Sequence, residues 1–407
     1  MNNSRRILIL GAGRYYLRSI ETAKLLGHTV VAVDRNPAAP GLLAADIGEA
    51  VDIVDIPGVR DVARRHKVDA ILPVNDYGVR TAAIVAESLG LPGIGTETAK
   101  RFTDKELMRQ TWEHAGIGQP RFRMIRNIYE ARAAVAELGT WPLLVKPADS
   151  RGGGSRGVRL VQGPEELQEA LTFTQSFYTD ERILLEQAVS GLEHSVETFT
   201  SCGRTHVLAI SDKVKSPPPW RVDKSVVYPS LIDGSRLETV CEAATRAVHA
   251  LGLPFGPAHV ELCSTDQGEA FLFEAGARCG GGGTPDPIVP WVTGIDLLSE
   301  VVRSYLGEPN LNLEPKRTRG CVYHFLTPEP GRVASVGGLD EVLQLPGVLD
   351  AAVLIAPGDY IRPVRVGGDR SGFIITAGQT AQEALTLAKH CEQVITITTV
   401  PTEGHSA

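Results

Sequence analysis

The chain has 407 residues, 43% of them hydrophobic and 22% charged, which is enough to bury a large core and build two to four domains. A formal net charge of −7 and a pI near 5.9 argue against an electrostatic footprint for nucleic acid, because the one basic run, 316–319, is short. No stretch approaches the ~18 apolar residues of a membrane span, and the apolar run 7–10 is too short for the core of an export signal, so a cytoplasmic protein with small-molecule partners is expected. Cys202, Cys241, Cys263, Cys279, Cys321 and Cys391 lack CxxC spacing and read as free thiols in a reducing compartment.

Over the first hundred residues, apolar runs at 7–10, 29–33 and 70–74 alternate with helical patterns at 16–26 and 79–89, which predicts a parallel α/β layer. Gly11-Ala12-Gly13-Arg14-Tyr15-Tyr16 begins like a dinucleotide fingerprint, and Asp34 ends the next strand where a ribose-binding acid would sit. Tyr16 stands where the third glycine is needed for close packing of helix on strand, so the motif argues against a nicotinamide site and hydride transfer. The Gly11 loop and Asn75-Asp76 either touch a substrate or are plain turn and strand-end residues.

Thr103-Asp104-Lys105-Glu106 reads as a capping box opening a helix that runs to about His114 and stops at Gly116. Lys105 in its first turn opposes the helix dipole, so it either extends into solvent or reaches an anion outside the helix. Strand 142–147 carries Lys146 at its end and leads into the glycine-rich segment 149–158. Glycines let successive N–H groups converge on phosphate oxygens and lysine adds a point charge, although the spacing is not GxxxxGK[ST] and a hairpin turn is the alternative.

Segment 183–189 predicts a buried strand ending in a linker, and Gly191 then turns the chain into 193–198. In that strand Glu193, Ser195 and Glu197 share one face, available to ribose, to metal-bound phosphate or to solvent. Pro217-Pro218-Pro219-Trp220 cannot continue a central strand, so 213–224 is a loop, either a lid over an acidic or amino-acid substrate or a surface connection.

Strands at 260–265 and 269–274 flank a turn at Gln267-Gly268. Counting outward from a two-residue loop sets Leu262 opposite Phe273 and Glu261 opposite Glu274, with Cβ atoms about 5 Å apart. Like charges so placed repel, and a divalent cation bridging them turns the repulsion into attraction; Mg²⁺ favours one or two carboxylates completed by water and substrate phosphates. A solvated strand face is the competing reading. His259 falls on the same face as Glu261, as a substrate contact or a structural histidine. Arg278 and Gly280 to Gly283 follow, the arginine as an oxyanion partner or as half of a structural ion pair. Beyond, 320–325, 331–336, 345–355, 360–366 and 372–377 read as strands and 381–391 as an Ala-rich helix, with Arg362 and Arg365 on a solvated face.

Taken in order, Lys105, Lys146, the glycine loop, Glu186, Glu193, Glu261, Glu274 and Arg278 resemble the ATP-grasp superfamily, most closely its carboxylate-amine ligase branch of L-amino acid ligases and carbamoyl-phosphate-synthase-like enzymes. The resemblance implies an α/β fold of three lobes: an N-terminal Rossmann-like lobe at 1–103, a two-part ATP-grasp domain at 104–310 with its small part at about 119–187, and a C-terminal α+β lobe at 311–407. It further implies that Lys105 and Lys146 contact ATP phosphates, that Ser155, Gly157 and Val158 cover them, that Glu186, Gln187, Ala188 and Val189 line the adenine pocket, and that Glu193 holds the ribose. Glu261 and Glu274 would carry one or two Mg²⁺ ions, with Mn²⁺ as a substitute, and Arg278 would face the carboxyl group, with His259 secondary. The family commonly has asparagine two residues after the second metal glutamate; Gly276 stands there, which puts a second metal in doubt. The implied reaction joins a small carboxylate to an amine through an acyl phosphate, releasing ADP and phosphate, in a protein with no nucleic-acid or membrane partner and compatible with a homodimer. Bicarbonate activation by an ATP-dependent carboxylase, or a nucleotide-binding regulator without turnover, are the alternatives.

Overall fold

The computed structural model describes residues 4–149 and 153–400. The N-terminal apolar runs form a parallel four-stranded sheet in the order Ile47–Ala50, Thr29–Asp34, Arg6–Leu10 and Ala70–Pro73. Its central strands are buried on both faces, as uniformly apolar parallel strands require, and helices Leu17–Leu25, Ile56–His66 and Asp76–Leu89 provide the cover. The edge strand Ile47–Ala50 alternates half-buried and exposed residues and was not among the expected strands. Asp34 serves the fold: its carboxylate accepts from the N–H groups of Ala12 and Asn36, both at 2.9 Å.

The helix expected to open on a box at Thr103 begins one residue later. Thr103 ends helix Thr96–Thr103 and donates its hydroxyl to Ala99 O at 2.7 Å. Asp104 caps helix Lys105–His114 by accepting from the N–H groups of Glu106 and Leu107. Strands Phe122–Ile125, Ile183–Gln187, Leu143–Pro147 and Arg159–Val161, in that order, make an antiparallel sheet, and helices Ile128–Leu138 and Leu167–Gln175 share its core.

An eight-stranded sheet forms the centre of the molecule: Ala270–Gly276, Gly256–Ser264, Leu192–Ser201, Arg204–Lys215, Asp223–Tyr228, Gly320–Leu326, Gly372–Gly378 and Val348–Val353. Its last three strands come from beyond residue 311, so the C-terminal segment continues the central sheet rather than folding as a detached layer. Helix Gly234–Leu251 packs on one face through Val240, Ala244 and Val248, against Val196 and Val260. The loop expected over 213–224 is shorter: Lys213 to Lys215 end strand Arg204–Lys215 and Asp223-Lys224 open strand Asp223–Tyr228, so only 216–222, with the three prolines, lie between the strands, because proline excludes the ladder only where it stands. Of the expected C-terminal strands, 360–366 shrinks to Tyr360–Ile361, and 345–355 becomes Val348–Val353 preceded by the short helix Leu339–Leu343.

Candidate active site

A cavity of about 700 Å³ takes its walls from all three of these sheets: Leu72 and Pro73 from the first, Leu144 and Lys146 from the second, Glu193, Glu261 and Glu274 from the third. The opposition of Glu261 and Glu274 occurs as the sequence suggests, but by a different route. Thr265 N donates to Glu269 O at 2.9 Å and Gly268 adopts φ +82°, so the loop holds three residues rather than two and the pairing slips by one, placing Leu262 opposite Leu272. Phe273 then bulges out of the ladder and restores the original register at Glu261 and Glu274.

The bulge is held by Arg109, which is fully buried. Its Nη1 donates to Leu272 O and its Nη2 to Phe273 O, both at 2.8 Å, while Nη2 also reaches Glu186 Oε2 at 2.7 Å. The other oxygen of Glu186 lies 2.5 Å from Lys146 Nζ. Burial pulls the Lys146 ammonium below the usual lysine range, and the attraction of Glu186 only partly reverses this. Glu186 therefore reaches the cavity wall with its carboxylate already engaged by two cations. Arg109 was missed in the sequence; its one signal is the four-residue spacing from Lys105, which sets both on one face of helix Lys105–His114.

Lys105 reaches an anion outside its helix, Glu274 Oε1 at 2.9 Å, and is buried. Glu261 is matched by Lys213 Nζ at 2.8 Å. Burial alone would raise both carboxyls, but Lys105 holds Glu274 below its ordinary value, and Lys213 with His259 holds Glu261 well below it. His259 lies between two carboxylates, Nδ1 at 2.6 Å from Glu197 Oε1 and Nε2 at 3.3 Å from Glu261 Oε1. Burial disfavours its charge, yet the two acids outweigh that and raise its pKa to about 9, which makes it an imidazolium at neutral pH.

Arg278 forks onto Asp76 of the N-terminal lobe, with Nε at 3.1 and 3.0 Å from the two carboxylate oxygens and Nη2 at 2.8 Å from Oδ2, and it donates from Nη1 to Cys279 O at 2.9 Å. A Cβ at Gly276 would lie 2.8 Å from Asp76 Oδ1 and 3.4 Å from Arg278 Cζ. The missing side chain is thus the space that this ion pair occupies, and an asparagine there would displace Asp76. Glu193 is held by Arg221 and by Lys215 Nζ at 3.1 Å, the latter also 2.7 Å from Asp223 Oδ1.

Of the glycine-rich loop, Ser150, Arg151 and Gly152 lie outside the described residues. Ser155, at φ +57°, donates its hydroxyl to Arg221 O at 2.7 Å and lines the cavity with Val158. Gly157, Gln187, Ala188 and Val189 do not line it; Ala188 N is tied to Pro142 O at 3.1 Å and the Gln187 side chain faces Arg121. The loop 216–222 folds back on the small sheet, with Pro219 O accepting from Leu160 N at 2.9 Å and Trp220 4.8 Å from Phe173, ring to ring.

The donor set at Glu261 and Glu274 suits a hard divalent cation, since it offers only carboxylate oxygen facing one cavity. Among the described residues no third acid, imidazole or thiolate completes a metal cluster, so the remaining ligands of a cation held there would come from phosphate and water.

Residues 140–286 match the ATP-grasp domain family, and residues 324–400 match the L-amino acid ligase C-terminal domain 2. Over residues 140–286 the chain belongs to the ATP-grasp superfamily. The relatives and structural neighbours that it resembles are ATP-grasp ligases that form C–N bonds. An alanine–anticapsin ligase of Bacillus subtilis is 30% identical over 258 residues, 58% of this chain and 53% of that protein, so the chain spans about half the length of that relative. A formate-dependent phosphoribosylglycinamide formyltransferase of Ignicoccus hospitalis is 26% identical over 411 residues, covering 94% of each. In fold, the chain matches an L-amino acid ligase from Bacillus licheniformis with a TM-score of 0.83 at 24% identity, over 98% of this chain and 99% of that one. No helix among the described residues is long and apolar enough to cross a membrane.

Proposed function

We propose that this cavity joins the carboxylate of an amino acid or small acid to an amine, with Lys105, Lys146, Glu261, Glu274 and Arg278 as the working residues. The observation that carries the reading is the opposition of Glu261 and Glu274 in one cavity, each already paired to a lysine, at 2.8 and 2.9 Å. Nucleotide binding would exchange these partners. ATP phosphates would take the lysines, and the freed carboxylates would take one Mg²⁺, which supplies charge neutralisation at the β- and γ-phosphates. Gly276 offers no side-chain oxygen, which favours a single ion over two.

A carboxylate oxygen of the substrate then attacks the γ-phosphorus; the bond to the β,γ-bridging oxygen breaks, ADP leaves and an acyl phosphate remains. Lys105 and Lys146 spread the charge that develops on the transferring group. An amine attacks the acyl carbon, phosphate departs, and the amine loses a proton as the amide forms. Arg278 offers the oxyanion of the tetrahedral intermediate a planar set of donors, with Asp76 fixing the plane of the guanidinium and His259 tying Glu261 to Glu197. Glu193, Ser155 and Val158 are assigned to the nucleotide side of the cavity.

The test is a screen of amino acids and small acids in pairs, recording ADP and product mass. Release of ADP that requires both a carboxylate and an amine is expected; release that requires bicarbonate instead would assign the carboxylase chemistry of related grasp enzymes.

A further inference from the structure

Away from the charged floor, one end of the cavity is walled by aromatic rings from opposite ends of the chain. Tyr15, in the turn that leads into helix Leu17–Leu25, lies 6.2 Å from Phe373, ring to ring. Phe373 meets Tyr323 edge-on at 5.5 Å, and Tyr323 lies 4.4 Å from Phe325. The Gly280 to Gly283 loop comes against this wall so closely that a Cβ at Gly282 would collide with the Tyr323 hydroxyl. Onto Phe325 is stacked the guanidinium of Arg370, 3.6 Å from the ring centroid. Arg370 donates from Nη2 to Asp223 O at 2.9 Å, while its Nε is buried with no acceptor among the described residues. A buried donor left unpaired costs about 1–3 kcal/mol. Arg60, Arg109 and Arg159 also carry a buried Nε without an acceptor among the described residues, but of these four arginines Arg370 is the one that lines the cavity, where its guanidinium can meet an anionic group.

The position of Arg370 relative to the reacting centre follows from the contacts between them. Asp223 lies 3.6 Å from Lys213 Nζ, and Lys213 holds Glu261, so the arginine stands two side chains from the carboxylates assigned to the metal. An α-amino acid bound there would set its amine toward the acyl phosphate, its carboxylate on Arg370 and its side chain along the rings.

We propose that this end of the cavity is the subsite of the amine substrate, that Arg370 anchors that substrate's α-carboxylate, and that Tyr15, Tyr323 and Phe373 select an aromatic side chain. The assignment rests on the ligase reading and narrows its substrate class to aromatic α-amino acids. An aromatic side chain gains from offset or edge-on contact with rings at these separations, and a carboxylate gains from a guanidinium whose one face is already dried by Phe325.

Equilibrium binding tests this without knowledge of the acyl partner. With MgADP present, L-phenylalanine is expected to bind roughly 10- to 100-fold more tightly than phenethylamine, which lacks the carboxylate, and more tightly than L-alanine, which lacks the ring. Arg370→Met should erase the first preference and keep the second; Phe373→Ala should do the reverse. A melting temperature within a few degrees of wild type qualifies each variant, and Arg370→Gln and Phe373→Leu replace any that unfolds. Equal affinity for the three probes, or preferences unmoved by both substitutions, overturns the assignment. A protein that binds phenylalanine as described but forms no ADP with any pair of substrates would instead refute the ligase reading, so the two failures are distinguishable.

Discussion

The central sheet carries a histidine clamped by polar partners on each of its faces, and the two clusters have different fates. On the cavity face His259 bridges Glu197 and Glu261 beside the Lys213 ammonium. On the opposite face His194 has Nε2 2.7 Å from Ser264 Oγ and Nδ1 3.0 Å from Asp212 Oδ1, the connectivity of a hydrolytic triad. Yet His194 and Ser264 are 0% and 1% exposed, beneath helix Gly234–Leu251, and Arg236 Nε donates to Ser264 Oγ at 2.8 Å. That oxygen accepts from the arginine and is shared with His194, and no substrate can approach. The pattern of hydrogen bonds does not separate a site from a structural network. Access does, together with partners that a ligand can exchange.

Substitutions on the two faces should therefore part cleanly. The largest effect is expected for Glu274→Gln, which removes a carboxylate assigned to the metal: ADP formation should fall by roughly 10³-fold or more while the melting temperature stays near wild type. Arg278→Lys should lower turnover by about 10²-fold, because an ammonium keeps the charge but loses the fork, and steady-state rates of ADP release measure this. Undiminished turnover in either variant would move the reaction centre elsewhere.

On the sealed face the expected losses are of stability and not of turnover. His194→Leu leaves Asp212 and Ser264 short of a buried partner and should cost about 1–3 kcal/mol in denaturant unfolding, with kcat retained. The smallest effect is a pH dependence at Asp212. Burial alone would raise its carboxyl, but hydrogen bonds from His194, Ser230 and Leu231 N outweigh this and hold it below the ordinary value. A carboxyl depressed in the folded state contributes stability that is complete above its unfolded pKa of about 4 and is lost as the pH falls below it. The gap in melting temperature between wild type and Asp212→Asn should accordingly be widest at neutral pH and close as the pH drops from about 4.

Much of this molecule can be read from local pattern, and the remainder resists for identifiable reasons. The parallel N-terminal layer, the triple-proline loop and the glutamate hairpin follow from periodicity and turn chemistry over a few residues. The register at Glu261 was reached through two deviations that cancel, a longer loop and a bulge at Phe273, and neither leaves a mark that simple alternation reveals. Arg109 looks like any surface arginine of a helix until the carbonyls freed by that bulge come into view. The bond from Arg278 to Asp76 spans 202 positions, and the strands that carry Tyr323 and Phe373 join the central sheet from beyond residue 311, so no local signal links them to the cavity. Gly276 shows the converse: a departure from a family pattern that is unexplained in sequence becomes, in space, the room needed for an ion pair.

The central claim is that a carboxylate takes the γ-phosphoryl group of ATP in this cavity, and it leaves an isotopic trace. With both oxygens of the substrate carboxylate labelled with ¹⁸O, amide formation through an acyl phosphate must transfer one labelled oxygen to the released phosphate. Mass spectrometry of that phosphate should show one ¹⁸O per product amide; unlabelled phosphate accompanying amide formation would contradict the account.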